Sequence, residues 1–206
     1  MKLRSIALVL SFALVSAAAY AQSGVYVLMQ AQQFTQEGVN FPAHPNSANI
    51  DRPWLYGPAY GVYVNITKVP YFGALKTGPV LVGFDARGET LRLSEYGSQF
   101  DREDGLFSLR VSTKHELFKT TPYIQGGFGI GHVRVPFRAN YSNSFDYQFS
   151  VGADRSLTKH IDWRVVEASA GSLANYSTGY YPGGVGTNQS NYSITLGTGF
   201  VYRTRH

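Results

Sequence analysis

The residues whose types could do acid, base or ligand chemistry are few and scattered. Histidines stand at His44, His115, His132, His160 and His206. His132 and Asp146 flank the polar stretch around 137–143 and are the nearest approach to a general base beside a carboxylate. The plainer reading of His132 is a polar side chain at a strand end. It is preferred because no G-x-S-x-G element ties a serine to a base. No histidine pair has zincin spacing and the chain has no cysteine, so neither a metal centre nor a disulfide framework is expected. The run Gly126-Gly127-Phe128-Gly129-Ile130-Gly131 misses the G-x-G-x-x-G spacing and leads into no helix, so it is no phosphate loop. Glycine there lets a strand curve and lets bulky neighbours pack across a lumen. The sequence assigns no catalytic residue, no cofactor and no metal.

The elements that position the remaining polar residues are strands. Two-residue alternation recurs, while the i, i+3, i+4, i+7 spacing of an amphipathic helix does not. In the clearest case Phe145, Tyr147, Phe149, Val151 and Ala153 share one face, and Asp146, Gln148, Ser150, Gly152 and Asp154 the other. Phe107, Leu109 and Val111 alternate with Ser108, Arg110 and Ser112, and Tyr192, Ile194, Leu196 and Phe200 with Ser193, Thr195, Gly197 and Gly199. The polar face is rich in glycine and serine but poor in the lysine and glutamate that solvate a soluble surface. With charged residues at 15%, Tyr 15 and Phe 13, the composition suits strands and interfaces. Strands are predicted near 24–35, 53–67, 77–92, 103–115, 121–136, 144–157, 161–176 and 190–203. Longer polar connections (36–52, 93–102, 137–143, 177–189) alternate with tighter ones (68–76, 116–120, 158–160). The fold class is all-β: a closed antiparallel up-and-down transmembrane β-barrel of about eight strands, its interior filled by side chains.

That fold dictates where charge can go. Asp85, Arg87, Arg110, Asp146, Asp154 and Glu167 lie in strands whose other face meets hydrocarbon, so they are expected to point inward and pair as a lumen charge network. A structural plug is favoured over an ion pathway in so narrow a barrel. Arg110 has Asp85, Asp146 or Glu167 as carboxylate partners. Arg164 and Glu167 have opposite parity, so either Arg164 snorkels at an interface or a bulge resets the register. Trp54, Tyr56, Phe107, Phe145, Tyr147, Phe149, Trp163, Tyr192, Phe200 and Tyr202 are expected to form a lipid-facing aromatic belt.

At the N-terminus Lys2 and Arg4 precede an apolar run from Ile6 to Ala19, and Ala19-Tyr20-Ala21 has the small-residue spacing of a signal-peptidase site. Residues 1–21 are therefore read as a cleaved signal peptide and 22–206 as the barrel. Loss of Lys2 and Arg4 lowers the formal charge of +5 by two. No basic strip interleaved with aromatics remains, so no nucleic-acid partner is expected.

Four segments carry a family resemblance: Thr121 to Gly131, Phe149 to Asp154, Ile161 to Ala168, and Leu196 to Arg203. Together they resemble the small outer-membrane β-barrel domains of Gram-negative bacteria, of the OmpA/OmpX type. The first half resembles them mainly by strand pattern. The resemblance implies a monomer in outer-membrane lipid, inserted by the barrel-assembly machinery, with a non-enzymatic role in the cell envelope or in surface contact through its long loops. The terminal aromatic typical of that family is here followed by Arg203, Thr204, Arg205 and His206. Three alternatives stay open: a small pore, which would show conductance steps; a rim-located lipid-modifying enzyme, whose activity would depend on His132; and a soluble lipocalin-like binder, recoverable without detergent.

Overall fold

The structure is a computed structural model that describes residues 23–34, 54–69, 80–93, 101–113, 119–134, 142–176 and 189–204. Eight strands form: β1 (Ser23–Phe34), β2 (Trp54–Val69), β3 (Val80–Leu93), β4 (Asp101–Thr113), β5 (Thr120–Arg134), β6 (Ser142–Ser156), β7 (Ile161–Tyr176) and β8 (Gln189–Arg203). Each pairs antiparallel with its sequence neighbours, and β8 pairs back onto β1, which closes the barrel. Closure removes every unpaired edge. At the seam the Thr204 N–H donates to the Ser23 carbonyl at 2.9 Å, and the two side-chain hydroxyls lie 2.8 Å apart.

The alternation read in the sequence sets the strands within three residues at either end. Connections spanning 35–53, 94–100, 135–141 and 177–188 leave one rim, called here the outer rim; those spanning 70–79, 114–119 and 157–160 share the other rim with the two ends of the barrel. The 70–79 connection is longer than the tight turn expected and exceeds both 94–100 and 135–141, so the contrast between rims rests on 35–53 and 177–188. The expected signal peptide and most loop residues lie outside the described residues.

Of the register shifts in the described ladder, two place the side chains that matter here. On β2 the register shifts between Asn65 and Thr67, leaving Ile66 as an extra residue. On β7 Arg164 pairs with Asp154 while Val166 pairs with Ala153, so Val165 is inserted. An extra residue flips the parity of everything beyond it. Arg164 and Glu167 consequently both face inward, at 0% and 1% exposure, and the alternative of a snorkelling Arg164 is excluded.

Glycine is required where a ring crosses the lumen. Tyr26 stands directly opposite Gly61, Tyr63 opposite Gly24, and Tyr123 opposite Gly152. A Cβ on Gly61 or Gly152 would lie 2.5 Å from the Cζ of its tyrosine, well inside contact distance. Three large rings therefore lie across the barrel interior on glycine floors.

Candidate functional site

The charged constellation predicted from the strands lies inside the barrel and is larger than predicted. Buried within it are five arginines (Arg87, Arg102, Arg110, Arg164, Arg203) and seven carboxylates (Asp85, Glu89, Asp104, Asp146, Asp154, Asp162, Glu167). All face inward from strands whose other side is apolar, because a charge on the outward face would meet the apolar band instead of a partner.

At mid-height lies an interleaved stack of guanidinium groups and tyrosine rings. Arg110 sits 4.4 Å from the Tyr63 centroid and 3.6 Å from that of Tyr123. Arg164 sits 4.6 Å from Tyr123 and 4.5 Å from Tyr26, and Arg87 lies 5.4 Å beyond on Tyr26. Such cation–π contacts gain strength when desolvated. Carboxylates fill the gaps. Arg87 grips Glu167 with two nitrogens, at 2.6 and 2.9 Å. Arg164 reaches Asp154 at 2.8 Å and Glu167 at 3.0 Å. Tyr26 donates to Asp85 at 2.9 Å and accepts from Arg87 Nε at 2.9 Å, while Tyr123 donates to Glu167. Arg110 pairs with Asp154 at 3.0 Å. That corrects the expected choice of Asp85, Asp146 or Glu167: parity fixes the face of a residue but not its height, and strand tilt brings Asp154 level with Arg110.

Toward the outer rim a second cluster centres on Arg102, which contacts Asp104 at 2.5 Å, Asp146 at 2.9 Å and Gln32 Oε1 at 2.6 Å. Glu89 lies beside it, held by Arg87 at 3.3 Å and by Gln30 Nε2 at 3.4 Å. Phe34, Leu55, Leu91 and Leu173, all at most 2% exposed, fill this end. Near the opposite rim Arg203 pairs with Asp162, and its Nη2 also donates to Ser156 Oγ at 2.8 Å. Among the described residues, buried side chains occupy the lumen at mid-height and toward both rims. What this arrangement does chemically is hold itself: breaking one member of a buried pair leaves an uncompensated charge.

The exterior is the reverse. Trp54, Tyr56, Phe107, Phe145, Tyr147, Phe149, Trp163, Tyr192, Phe200 and Tyr202 all stand outward at 36–61% exposure, among other exposed aliphatic residues such as Val27, Ile130 and Leu196. Trp163 Nε1 donates to Thr198 Oγ1 at 3.1 Å, so its polar atom is satisfied.

His132 and Asp146 are not brought together. His132 lies on the outward side of β5 with Nδ1 2.7 Å from Asn143 Oδ1, whereas Asp146 is buried on Arg102. Among the described residues no group of His, Cys, Asp or Glu is placed to hold a metal ion. The residues missed in the sequence are Tyr26, Tyr63, Glu89, Arg102, Asp104, Tyr123, Asp162 and Arg203. Their signal was phase. Glu89 follows Asp85 and Arg87 at two-residue steps, and Arg102 and Asp104 precede Ser108 and Arg110 on the same face, Arg102 just before the predicted start of the strand.

No protein-family model matches the chain, and no curated protein matches it. Solved structures do. Neisserial surface protein A superposes with a TM-score of 0.60 at 10% identity, over 88% of this chain and 97% of that one. The outer membrane protein OprG of Pseudomonas aeruginosa matches with a TM-score of 0.47 at 10% identity, over 90% of this chain and 97% of its own. The N-terminal β-barrel domain of OprF from the same organism matches with a TM-score of 0.45 at 11% identity, over 88% and 99%. The chain has the fold of the small eight-stranded outer-membrane β-barrels.

Proposed function

We propose that this chain is a non-enzymatic, monomeric integral protein of the bacterial outer membrane with an envelope-structural or surface-contact role exercised through its longer loops. One observation carries the reading: large hydrophobic side chains cover the outside of the barrel while twelve charged side chains are buried within it. Water cannot be the solvent of that outside, since an apolar surface so continuous would aggregate, whereas lipid accommodates it. In this reading the aromatic belt contacts lipid, the network built on Asp85, Arg87, Arg110, Asp146, Asp154 and Glu167 plugs the lumen, residues 1–21 direct export, and the barrel-assembly machinery inserts the folded ladder. The filled lumen favours this over a pore, and the separation of His132 from Asp146 favours it over a rim enzyme.

Membrane fractionation combined with gel migration before and after boiling tests the proposal. The unheated protein is expected in the outer-membrane fraction with altered migration, because a closed ladder resists detergent. Release by a salt wash together with unchanged migration would overturn it. In planar bilayers the protein is expected to give no discrete conductance steps.

A further inference from the structure

The two rims of the barrel differ in charge. Every lysine after Lys2 belongs to the rim that carries the connections 70–79, 114–119 and 157–160, called here the turn rim. Lys68 stands near the end of β2, Lys119 just before β5 and Lys159 in the turn between β6 and β7, and Lys76 and Lys114 fall in those connections by chain position. Arg155 joins them near the end of β6. Lys68, Lys119, Arg155 and Lys159 are exposed, and no described carboxylate forms an ion pair with any of them. The strand acids nearest this rim, Asp154 and Asp162, are buried and taken up by Arg110, Arg164 and Arg203. The outer rim neutralises itself instead: Arg92 pairs with Asp101 at 3.4 Å, and the exposed Glu103 stands opposite His132. Unmatched cations along one rim create a field that draws anions to it.

Register gathers three of these cations into one patch. Arg155 stands opposite Trp163 on β7 and opposite Thr120 on β5, the residue after Lys119. Lys159 sits in the turn closed by the Leu157 and Thr158 N–H groups, both donating to the Ile161 carbonyl at 3.0 Å. Leu157 and Ile161 flank that lysine and are 52% and 41% exposed, and Trp163 and Tyr202 stand outward beside them. Cations interleaved with exposed aliphatic and aromatic side chains call for a partner that is anionic at one end and apolar at the other. A dissolved anion would satisfy the cations alone. A lipid satisfies both sets at one height.

We propose that the turn rim binds anionic glycerophospholipids, an inference that rests on the membrane reading above. Lys119, Arg155 and Lys159 receive the headgroup phosphate, while Trp163, Leu157 and Ile161 lie against the upper acyl chains. Arg155 offers the phosphate a planar fork, and the lysine stems reach it as flexible point charges. No covalent bond changes.

The two tryptophans of the chain, Trp54 and Trp163, stand outward at opposite rims, so each reports on its own end. The full chain is folded into phosphatidylcholine vesicles as Trp54→Phe, which leaves Trp163, and as Trp163→Phe, which leaves Trp54. The vesicles contain a minor fraction of phosphatidylglycerol brominated in its upper acyl chains, or the same fraction of phosphatidylcholine so brominated. Bromine quenches tryptophan at short range, so quenching measures the lipid held at the wall. Brominated phosphatidylglycerol is expected to quench Trp163 more than brominated phosphatidylcholine does, with a local enrichment of up to about fivefold for each cation engaged at low ionic strength. That enrichment should shrink in about 1 M sodium chloride, where the screening length is about 3 Å. Lys119→Gln, Arg155→Gln and Lys159→Gln should each lower it, and together abolish it, with quenching by phosphatidylcholine unchanged. Trp54 should show no preference. Equal quenching of Trp163 by the two lipids, an equal preference at Trp54, or a preference that survives the triple substitution would overturn the proposal. Displacement of phosphatidylglycerol by inorganic phosphate, beyond what sodium chloride of equal ionic strength achieves, would make a free phosphate the ligand and also overturn it. Absence of quenching by either lipid at either tryptophan is a different failure: it would overturn the membrane reading, and the proposal with it.

Discussion

Along β6 one wall carries two opposite solvents' worth of chemistry. Phe145, Tyr147, Phe149 and Val151 stand 42–54% exposed on its outer side, while Asp146, Gln148 and Ser150, threaded between them, are no more than 7% exposed. A soluble barrel would reverse the two sets. The comparison teaches that the backbone ladder serves both faces equally, and that the difference lies in how each face is satisfied. The outer face needs only an apolar medium. The inner face needs each charge to find its partner at the right height, which is why Arg164 alone contacts two carboxylates and two rings.

The largest expected effect breaks the inner side. Arg164→Ala removes one of the two guanidinium partners of both Asp154 and Glu167, and its contacts with two tyrosine rings, and should destabilise the barrel by about 3–5 kcal/mol in reversible unfolding from vesicles. Arg110→Ala should fall toward the lower end of that range, since only its Nη2 meets a carboxylate and Asp154 keeps Arg164. A loss at Arg110 no greater than that of a loop substitution would mean the network does not hold the fold. Next in size is Gly152→Ala, whose added methyl collides with the Tyr123 ring and should cost about 1–3 kcal/mol. The same change at Gly126, where the nearest atom is 3.8 Å away on Phe149, sharpens the contrast by costing little. The smallest effect is His132→Ala at the outer rim, expected to move stability by no more than about 0.5 kcal/mol and to leave migration and membrane location unchanged.

How much of this was legible in the sequence follows from what alternation encodes. It encodes face, so the outward side of β6 and the inward placement of Asp85, Asp146 and Asp154 could be read directly. It does not encode a one-residue insertion, and Val165 was visible only as the parity conflict between Arg164 and Glu167. Nor does it encode height, so the partner of Arg110 could not be chosen. The tyrosine stack was hidden for another reason: Tyr26, Tyr63 and Tyr123 resemble belt residues by type, and only their in-phase glycine partners on the next strand mark them as interior. Glu89 and Asp104 were reachable by phase, but their facing each other depends on the β3–β4 register, which no local pattern states.

If the apolar face meets lipid and the polar face the lumen, Phe149→Arg and Gln148→Arg, adjacent on β6, must respond differently to the same charge. Each variant is unfolded reversibly by denaturant in lipid vesicles. Arginine at Phe149 must sit in hydrocarbon or stretch to a headgroup, at about 2–4 kcal/mol near the midplane. Arginine at Gln148 joins Asp146, Ser150 and Asp154 on one face, where carboxylates can receive it and crowding is the main cost. The larger loss is expected at Phe149. A larger loss at Gln148 would make the apolar face the interior and contradict the membrane assignment.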